Sequence, residues 1–281
     1  FRAGMDHSQF PTETHALLIE AFNEIAQDER SVNGLRTHLL QLKRTTHWST
    51  TAATTEAVYA LLLGGPDLLV PSDPPSVLVG GVPVPVDTLE AGTGYFSYSW
   101  PAEEIGPGMG QVRLTTPGDR LSWGALHWQY FQELDKVTSQ GGPFQIGKEV
   151  MRKVVGDHGA ELVPVVAGGQ LRVGDEVVLR ITLTTDRWLD HVHVKDLRAS
   201  AMEPIDHLSG IRVKGRLVYY QSIKDASMHF FFDRLAPGTH LLEYALRVTH
   251  EGAFQNGVAS ATCMYAPEFA AHSPGVKLVI E

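Results

Sequence analysis

The segment CMYAPEFAAHSPG, residues 263–275, combines several residue types that can do chemistry. It holds Cys263, the chain's only cysteine, with Glu268 and His272 a few residues further on. A histidine beside a cysteine can lower the pKa of the thiol and so produce a nucleophilic thiolate. The run VASATCMYA alternates, however, and predicts a strand with Cys263 and Tyr265 on the same face. Because a free cysteine on a strand is commonly a small core side chain, we expect Cys263 to be structural.

His191 and His193, in the run DHVHVKD, form the most metal-like pattern in the chain. Residues i and i+2 of a strand share a face, and Asp186, Asp190 and Asp196 are close in sequence. A third ligand at a predictable spacing is nevertheless missing. The alternation with two valines fits the outer face of a half-buried strand equally well. We therefore expect no bound metal and no other cofactor.

Other features of the sequence argue against an enzyme. The motifs GxSxG, HExxH, GxGxxG and the P-loop do not occur. The 281-residue chain carries a net charge of −9 without a basic run, which makes nucleic acid an improbable partner. A membrane span needs about 20 apolar residues, and no stretch of the sequence approaches that length. The residues themselves favour a scaffold or binding protein.

The elements that must position these residues change in kind along the chain. Residues 12–63 show helical spacing of apolar residues, which predicts three short helices. A proline-rich stretch follows, and from residue 76 the period switches to two, with strands predicted in 76–86, 94–100, 110–116 and 122–130. A second boundary falls near 138–144. Beyond it, alternating runs predict an antiparallel β-sandwich. These runs are 161–167, 175–185, 190–196, 215–222, 227–235, 240–249, 257–266 and 275–281.

An ordered set of motifs resembles the carboxyl-terminal part of the bacterial α2-macroglobulin family, especially the large members common in Bacteroidetes. The motifs are HWSTTAATTEAVYALLLGG, EAGTGYFSYSW, DRLSWGALHWQYFQELDKVT, HVHVKDLRASAMEPIDHLSGI, YYQSIKDASMHFFFDRLAPGTHLLEYALRVTHEGAFQNG and CMYAPEFAAHSPG. The resemblance implies a multidomain α and β protein. It assigns 1–65 to the end of an α/α toroid and 66–142 to the returning part of a small split β domain. Residues 143–281 would form a macroglobulin-type β-sandwich.

The resemblance also implies roles for particular residues. The family's thioester uses a Cys-x-Glu-Gln motif, which does not occur in this sequence. Cys263 would then belong to the scaffold of the sandwich, directly before the family signature MYAPE. The residues that the resemblance marks as structural signatures are Trp48, Trp123, Cys263, Met264, Tyr265, Pro267 and Glu268.

For function, the resemblance implies a protease trap, in which cleavage of a bait segment starts a conformational change that encloses the protease. The expected partners are target endoproteases and upstream domains of the same polypeptide. The expected location is the periplasm or outer cell envelope, with a lipid anchor at the amino terminus of the full-length protein. The alternative is a non-inhibitory envelope scaffold or adhesion module built from the same domains. An enzyme using Cys263 or the pair His191 and His193 is the least favoured reading.

Overall fold

The computed structural model of the chain describes residues 11–63, 73–90, 94–116, 124–142, 144–156, 159–165 and 170–281. Its residues group into two compact units. The first unit contains residues 1–39 and 48–127, and the second contains residues 40–47 and 128–281. Each unit is built differently, the first mainly from helices and the second mainly from strands.

The helices confirm the prediction for residues 12–63. They are α1 (Pro11–Ala21), a π-helical turn (Phe22–Ala26), α2 (Glu29–Thr45) and α3 (Thr51–Leu62). The first turn of α3 is capped by Thr50, whose side-chain oxygen accepts a hydrogen bond from Ala53 N at 2.9 Å. Small residues such as Ala57 and Ala60 are fully buried and pack in one cluster with Ile19 of α1 and Leu39 of α2. Small side chains on α3 therefore allow close packing within the helical group.

A three-stranded sheet follows in the first unit. It consists of β1 (Ser76–Val79), β2 (Val82–Pro83) and β3 (Val112–Thr115), in the order β2-β1-β3. Gly80 and Gly81 form the turn between β1 and β2 with positive φ values of 61° and 82°, which glycine adopts readily. Short 3-10 turns lie at Ala102–Glu104, Pro107–Gly110 and Leu134–Lys136.

Two of the four strands predicted in this region are wrong. Residues 94–100 and the described part of 122–130 contain no strand. Several of their aromatic residues are exposed to solvent, including Tyr95 at 55% and Tyr130 at 74%. The aromatic alternation resembled a strand pattern, but here no neighbouring strand or core face supports it.

The second unit contains three antiparallel or mixed sheets. Their orders are β10-β11-β12-β8-β15-β16, β5-β4-β7-β13-β9 and β14-β17-β6. The strands are β4 (Phe144–Gly156), β5 (Gly159–Pro164), β6 (Gln170–Leu171), β7 (Glu176–Thr185), β8 (Leu189–Leu197), β9 (Met202–Pro204), β10 (Gly210–Lys214), β11 (Leu217–Lys224), β12 (Ser227–Leu235), β13 (Gly238–Val248), β14 (Gly252–Asn256), β15 (Ala259–Cys263), β16 (Ala266–His272) and β17 (Val276–Ile280).

One hydrophobic core is shared by the six-stranded and five-stranded sheets, so the predicted β-sandwich is confirmed. The alternation of β7 buries every second residue, from Val177 to Thr185. On β12 the same period buries Met228, Phe230 and Phe232. All of these apolar side chains belong to one cluster. Period-two alternation is the pattern expected for strands with one face on a core.

Each of the eight predicted runs contains or overlaps a strand, and several further strands were not predicted. The largest omission is β4, which is 13 residues long and lies inside its sheet. Its core-facing positions include Lys148 between Ile146 and Val150. A charged residue at a core position interrupts the apolar alternation, which explains why this strand was missed.

Candidate functional site

The candidate functional site is a contact between residues 40–47 and one end of the sandwich. It comprises Arg44, His47, Asp190, His191, Tyr265 and Glu268, and we call it the hairpin-turn site. Residues 40–47 include the end of α2, and they group with the sandwich in the second unit. The site is named after the hairpin turn that joins β15 to β16.

Arg44 forms the first polar contact of the site. Its Nε donates to Glu268 Oε1 at 2.9 Å, and its Nη2 contacts the same oxygen. The Arg44 guanidinium also lies 5.0 Å from the ring centre of Phe269. The side chains of Arg44 and Glu268 are 47% and 30% exposed, so water screens this ion pair substantially. The ion pair therefore fixes the geometry of this contact, but breaking it costs little free energy.

His47 forms the second polar contact, with Asp190 at the start of β8. The backbone N–H of His47 donates to Asp190 Oδ2 at 2.8 Å, and the His47 Nδ1 lies 2.5 Å from the same oxygen. The Asp190 side chain is only 5% exposed. Arg234 Nε lies 3.8 Å from the other carboxylate oxygen and stacks over Trp188. The nearly buried carboxylate thus receives its hydrogen bonds from His47, and Arg234 of β12 adds only a nearby positive charge.

His191 and Tyr265 complete the site. The His191 ring meets Tyr265 edge to face with centroids 5.1 Å apart, and it lies 6.3 Å from the His47 ring. The His191 carbonyl accepts a hydrogen bond from Met264 N at 2.9 Å. His191 has φ = 53°, an uncommon backbone conformation for a residue other than glycine. Strained backbone of this kind persists where surrounding contacts hold it, and the hairpin turn supplies one such contact.

The predicted face of Tyr265 is wrong. Strand β15 ends at Cys263, so Met264 and Tyr265 form the turn instead of continuing the alternation. Their side chains are 54% and 81% exposed, whereas Cys263 is buried. Pro267 and Glu268 follow on β16 with exposed side chains. In the CMYAPE segment, buried Cys263 is therefore followed by a two-residue surface turn, and β16 begins at buried Ala266.

Cys263 lacks the surroundings of a nucleophile. Burial, together with the negative charges of Glu268 and Asp190, raises the pKa of its thiol to about 11. His272 pairs across the hairpin with Ser260, whose side chain faces away from the core side that holds Cys263. The structure therefore does not bring the cysteine and histidine together as a catalytic pair.

His191 and His193 contact different residues. His193 Nε2 lies 2.8 Å from His229 Nδ1, and His229 Nε2 lies 2.9 Å from Ser227 Oγ. Burial is the main cause that lowers the pKa of both His193 and His229, and nearby charges add to it. His229 comes from β12, so no local spacing in the sequence could have indicated this pair.

The three aspartates near these histidines have other partners. Asp186 pairs with Arg187, Asp190 with His47, and Asp196 with Lys148. Within the described residues no group of three or more histidine, cysteine or acidic side chains is arranged to hold a metal ion. That the chain binds no metal stays a prediction.

The two signature tryptophans fall in different parts of the chain. Trp48 is half-buried and packs against the helical cluster of the first unit. Trp123 lies outside the described residues. None of the described helices has the length and apolar character needed to cross a membrane.

The second unit is an antiparallel β-sandwich of the macroglobulin type. Residues 144–268 match the sequence model of the Bacterial Alpha-2-macroglobulin MG10 domain. This match confirms, for the sandwich, the likeness to bacterial alpha-2-macroglobulin that the sequence motifs predict. No curated protein matches the chain.

Solved structures of bacterial alpha-2-macroglobulins align over nearly the whole chain. The Salmonella protein reacted with methylamine is 15% identical, with a TM-score of 0.41, over 98% of this chain and 18% of that one. The Escherichia coli protein activated by trypsin is 12% identical, with a TM-score of 0.47, over 96% of this chain and 18% of that one. The Escherichia coli protein activated by porcine elastase is 13% identical, with a TM-score of 0.46, over 96% and 24%. This chain thus spans less than a quarter of each of these chains.

Proposed function

We propose that the chain is part of a bacterial alpha-2-macroglobulin-like, broad-spectrum endopeptidase inhibitor and supplies structural domains to it. The observation that carries this proposal is the MG10 match over residues 144–268. Under this proposal, residues 1–65 are the end of an α/α toroid and residues 66–142 belong to a small split β domain. Residues 143–281 are the macroglobulin-type sandwich. The chain itself is not an enzyme.

The proposed activity is trapping, not turnover. A protease cleaves a bait segment elsewhere in the full-length protein, and the domains then move to enclose the protease. Such a transition requires contacts that hold one arrangement and release it at low cost. The hairpin-turn site supports this because Arg44 and Glu268 are joined by a partly exposed ion pair. Pairs of this type contribute only about 0.2–1 kcal/mol each.

The partners and location follow from the same proposal. Target endoproteases and upstream domains of the same polypeptide are the partners. The periplasm or the outer cell envelope is the location, and a lipid at the amino terminus of the full-length protein is the anchor. An envelope inhibitor would meet proteases before they reach the inner membrane.

The test uses the full-length protein and a panel of endoproteases of different specificity. We expect limited cleavage at a bait segment. The bound protease should then keep its activity on a small chromogenic peptide and lose it on a large protein substrate. Proteases inactivated at their nucleophile before mixing serve as the control, because they cannot cleave the bait and should not be trapped. Unchanged activity on large substrates across the panel would contradict the proposal and favour the non-inhibitory envelope scaffold.

A further inference from the structure

Three polar side chains meet in the middle of the sandwich, away from the hairpin-turn site. Lys148 lies on β4, Asp196 on β8 and Tyr244 on β13. The side chains of Lys148 and Asp196 have no solvent exposure, and Tyr244 is 7% exposed. Because β8 belongs to the six-stranded sheet and the other two strands to the five-stranded sheet, the contact joins both layers. Fully buried lysine is rare and requires specific partners.

Lys148 donates two hydrogen bonds, which is the number of hydrogens that a neutral amine can place. Its Nζ donates to the backbone carbonyls of Leu197 at 2.6 Å and Gly257 at 2.8 Å. A neutral amine has two hydrogens and one lone pair, whereas an ammonium has three hydrogens to place. The third neighbour is the carboxyl group of Asp196, whose Oδ1 lies 2.6 Å from Nζ. The two carbonyls can accept both hydrogens of the amine and leave its lone pair facing this carboxyl.

The two oxygens of Asp196 are in different environments. Oδ2 accepts a hydrogen bond from the Tyr244 hydroxyl at 2.5 Å. Oδ1 receives no hydrogen bond of acceptable geometry from the described chain, although Lys148 is close to it. This asymmetry suits a protonated carboxyl, in which Oδ2 is the carbonyl oxygen and Oδ1 carries the hydroxyl. A donor on the carbonyl oxygen polarises the carbon for nucleophilic attack.

Burial favours the neutral form of both Lys148 and Asp196. Desolvation lowers the pKa of Lys148 and raises the pKa of Asp196, and in each case it outweighs the attraction between the two. Desolvation also raises the pKa of Tyr244 well above its usual value, so its hydroxyl stays a donor. A desolvated lysine is an activated nucleophile, and a protonated carboxyl is a better electrophile than a carboxylate.

We propose that Lys148 and Asp196 form an intramolecular isopeptide bond that covalently joins the two sheets of the sandwich. The lone pair of Lys148 Nζ attacks Asp196 Cγ, and Tyr244 stabilises the negative charge that develops on Oδ2. One proton passes from Nζ to Oδ1, the Cγ–Oδ1 bond breaks, and one water molecule leaves. The product is an amide, with no change of oxidation state and no other reactant. The apolar core around the bond keeps water away and so opposes hydrolysis.

The primary test is the intact mass of the purified full chain measured under denaturing conditions. We expect a mass lower than that of the sequence by one water molecule. Tryptic digestion should then yield a branched peptide in which the segment containing Lys148 is joined to the segment containing Asp196. The sequence mass without loss would overturn the proposal. A water loss confined to a linear peptide, as a cyclic imide at Asp196 would give, would also overturn it.

Variants identify the atoms involved. Lys148→Met and Asp196→Ala should both restore the full sequence mass. Lys153→Met is the matched control, because Lys153 lies on the same strand but pairs with Glu176 at the surface. This variant should keep the water loss. In Tyr244→Phe we expect a smaller cross-linked fraction at a fixed time after refolding. Variants of core residues can fail to fold. The proposal is therefore decided by two masses that need no core variant, that of the chain with its natural sequence and that of Lys153→Met.

Discussion

Gly257 and Leu197 pack so closely that no side chain fits between them. A β-carbon on Gly257 would lie 2.6 Å from Leu197 Cβ, and Cβ cannot move without the backbone of β8. The carbonyls of these two residues are the acceptors for Lys148 Nζ. The close approach therefore brings two acceptors from different segments to one buried amine. A glycine is required here by space, since its φ is not in the positive region.

The first prediction concerns this contact. Gly257→Ala should lower the free energy of unfolding by roughly 1–3 kcal/mol, because overpacking forces backbone shifts. Urea denaturation followed by tryptophan fluorescence measures the change. Gly147→Ala is the control, since a β-carbon there would meet nothing within 4 Å. Equal stability of the two variants would show that the Gly257 contact is not tight in solution.

The second prediction is a dependence of stability on pH that comes from His193 and His229. Their pKa values in the folded protein are below the ordinary 6.5, so the unfolded chain binds more protons below that pH. Their contribution to stability is complete above pH 6.5 and decreases as the pH falls through 6.5 toward the folded pKa values. Denaturation at a series of pH values measures this slope.

Substitution tests the assignment of that slope. His229→Gln should reduce it, and the exposed His207→Gln should leave it unchanged. A slope that survives in His229→Gln and in His193→Gln would assign the pH dependence to other groups.

The third prediction is that Cys263 is unreactive in the folded protein. A pKa of about 11 leaves roughly a thousandth of the thiol ionised at pH 8, and burial blocks access as well. An aromatic disulfide reagent should therefore label the native chain far more slowly than the chain in guanidinium. The unfolded control should release one equivalent of product, since the sequence has one cysteine. Rapid stoichiometric labelling of the native chain would contradict a structural Cys263.

The fourth prediction is a weak but measurable coupling between Arg44 and Glu268. A double-mutant cycle of Arg44→Ala and Glu268→Ala should give about 0.2–1 kcal/mol at low salt, decreasing as salt screens the pair. Limited proteolysis within residues 40–47 should speed up in Arg44→Ala. Arg180→Ala removes the pair with Glu243 within the five-stranded sheet and should not change that cleavage. Zero coupling together with unchanged cleavage would remove the role we assign to this contact.

The fifth prediction is that residues 143–281 fold without the rest of the chain. Every buried residue of the sandwich cluster lies between Phe144 and Ile280. Earlier residues add hydrogen bonds such as that between Gln140 and His272, whose loss should lower stability only slightly. Circular dichroism should show a cooperative thermal transition. A longer fragment from residue 128 is the control, and a dye-binding, non-cooperative 143–281 fragment would place the boundary elsewhere.

Much of the sandwich could be predicted because the apolar residues of its strands alternate in the sequence as the buried residues do in the structure. From Val177 to Leu183 in β7 and from Met228 to Phe232 in β12, every second residue is apolar and buried, so the pattern in the sequence and the pattern in space coincide. The family motifs added the domain type, which alternation alone does not specify. Strand β4 was missed because Lys148 occupies a core position.

The site was harder to predict than the fold because its partners are distant in sequence. Arg44 and Glu268 are 224 positions apart, and His193 meets His229 from another strand. Spacing within a segment identifies neighbours on the same strand, such as His191 and His193. Spacing carries no information on which strands become neighbours in a sheet. The partners of these residues are known only once the order of the strands is known.

The placement of strand β17 has a mechanical consequence. It lies between β14, which is antiparallel to it, and β6, which is parallel to it. Tension applied along β17 is therefore resisted by hydrogen bonds to both neighbours at the same time, in shear. Peeling a strand from an edge would instead break its bonds one after another. Strand β17 is therefore better placed to resist a pulling force along its axis than a strand at the edge of a sheet.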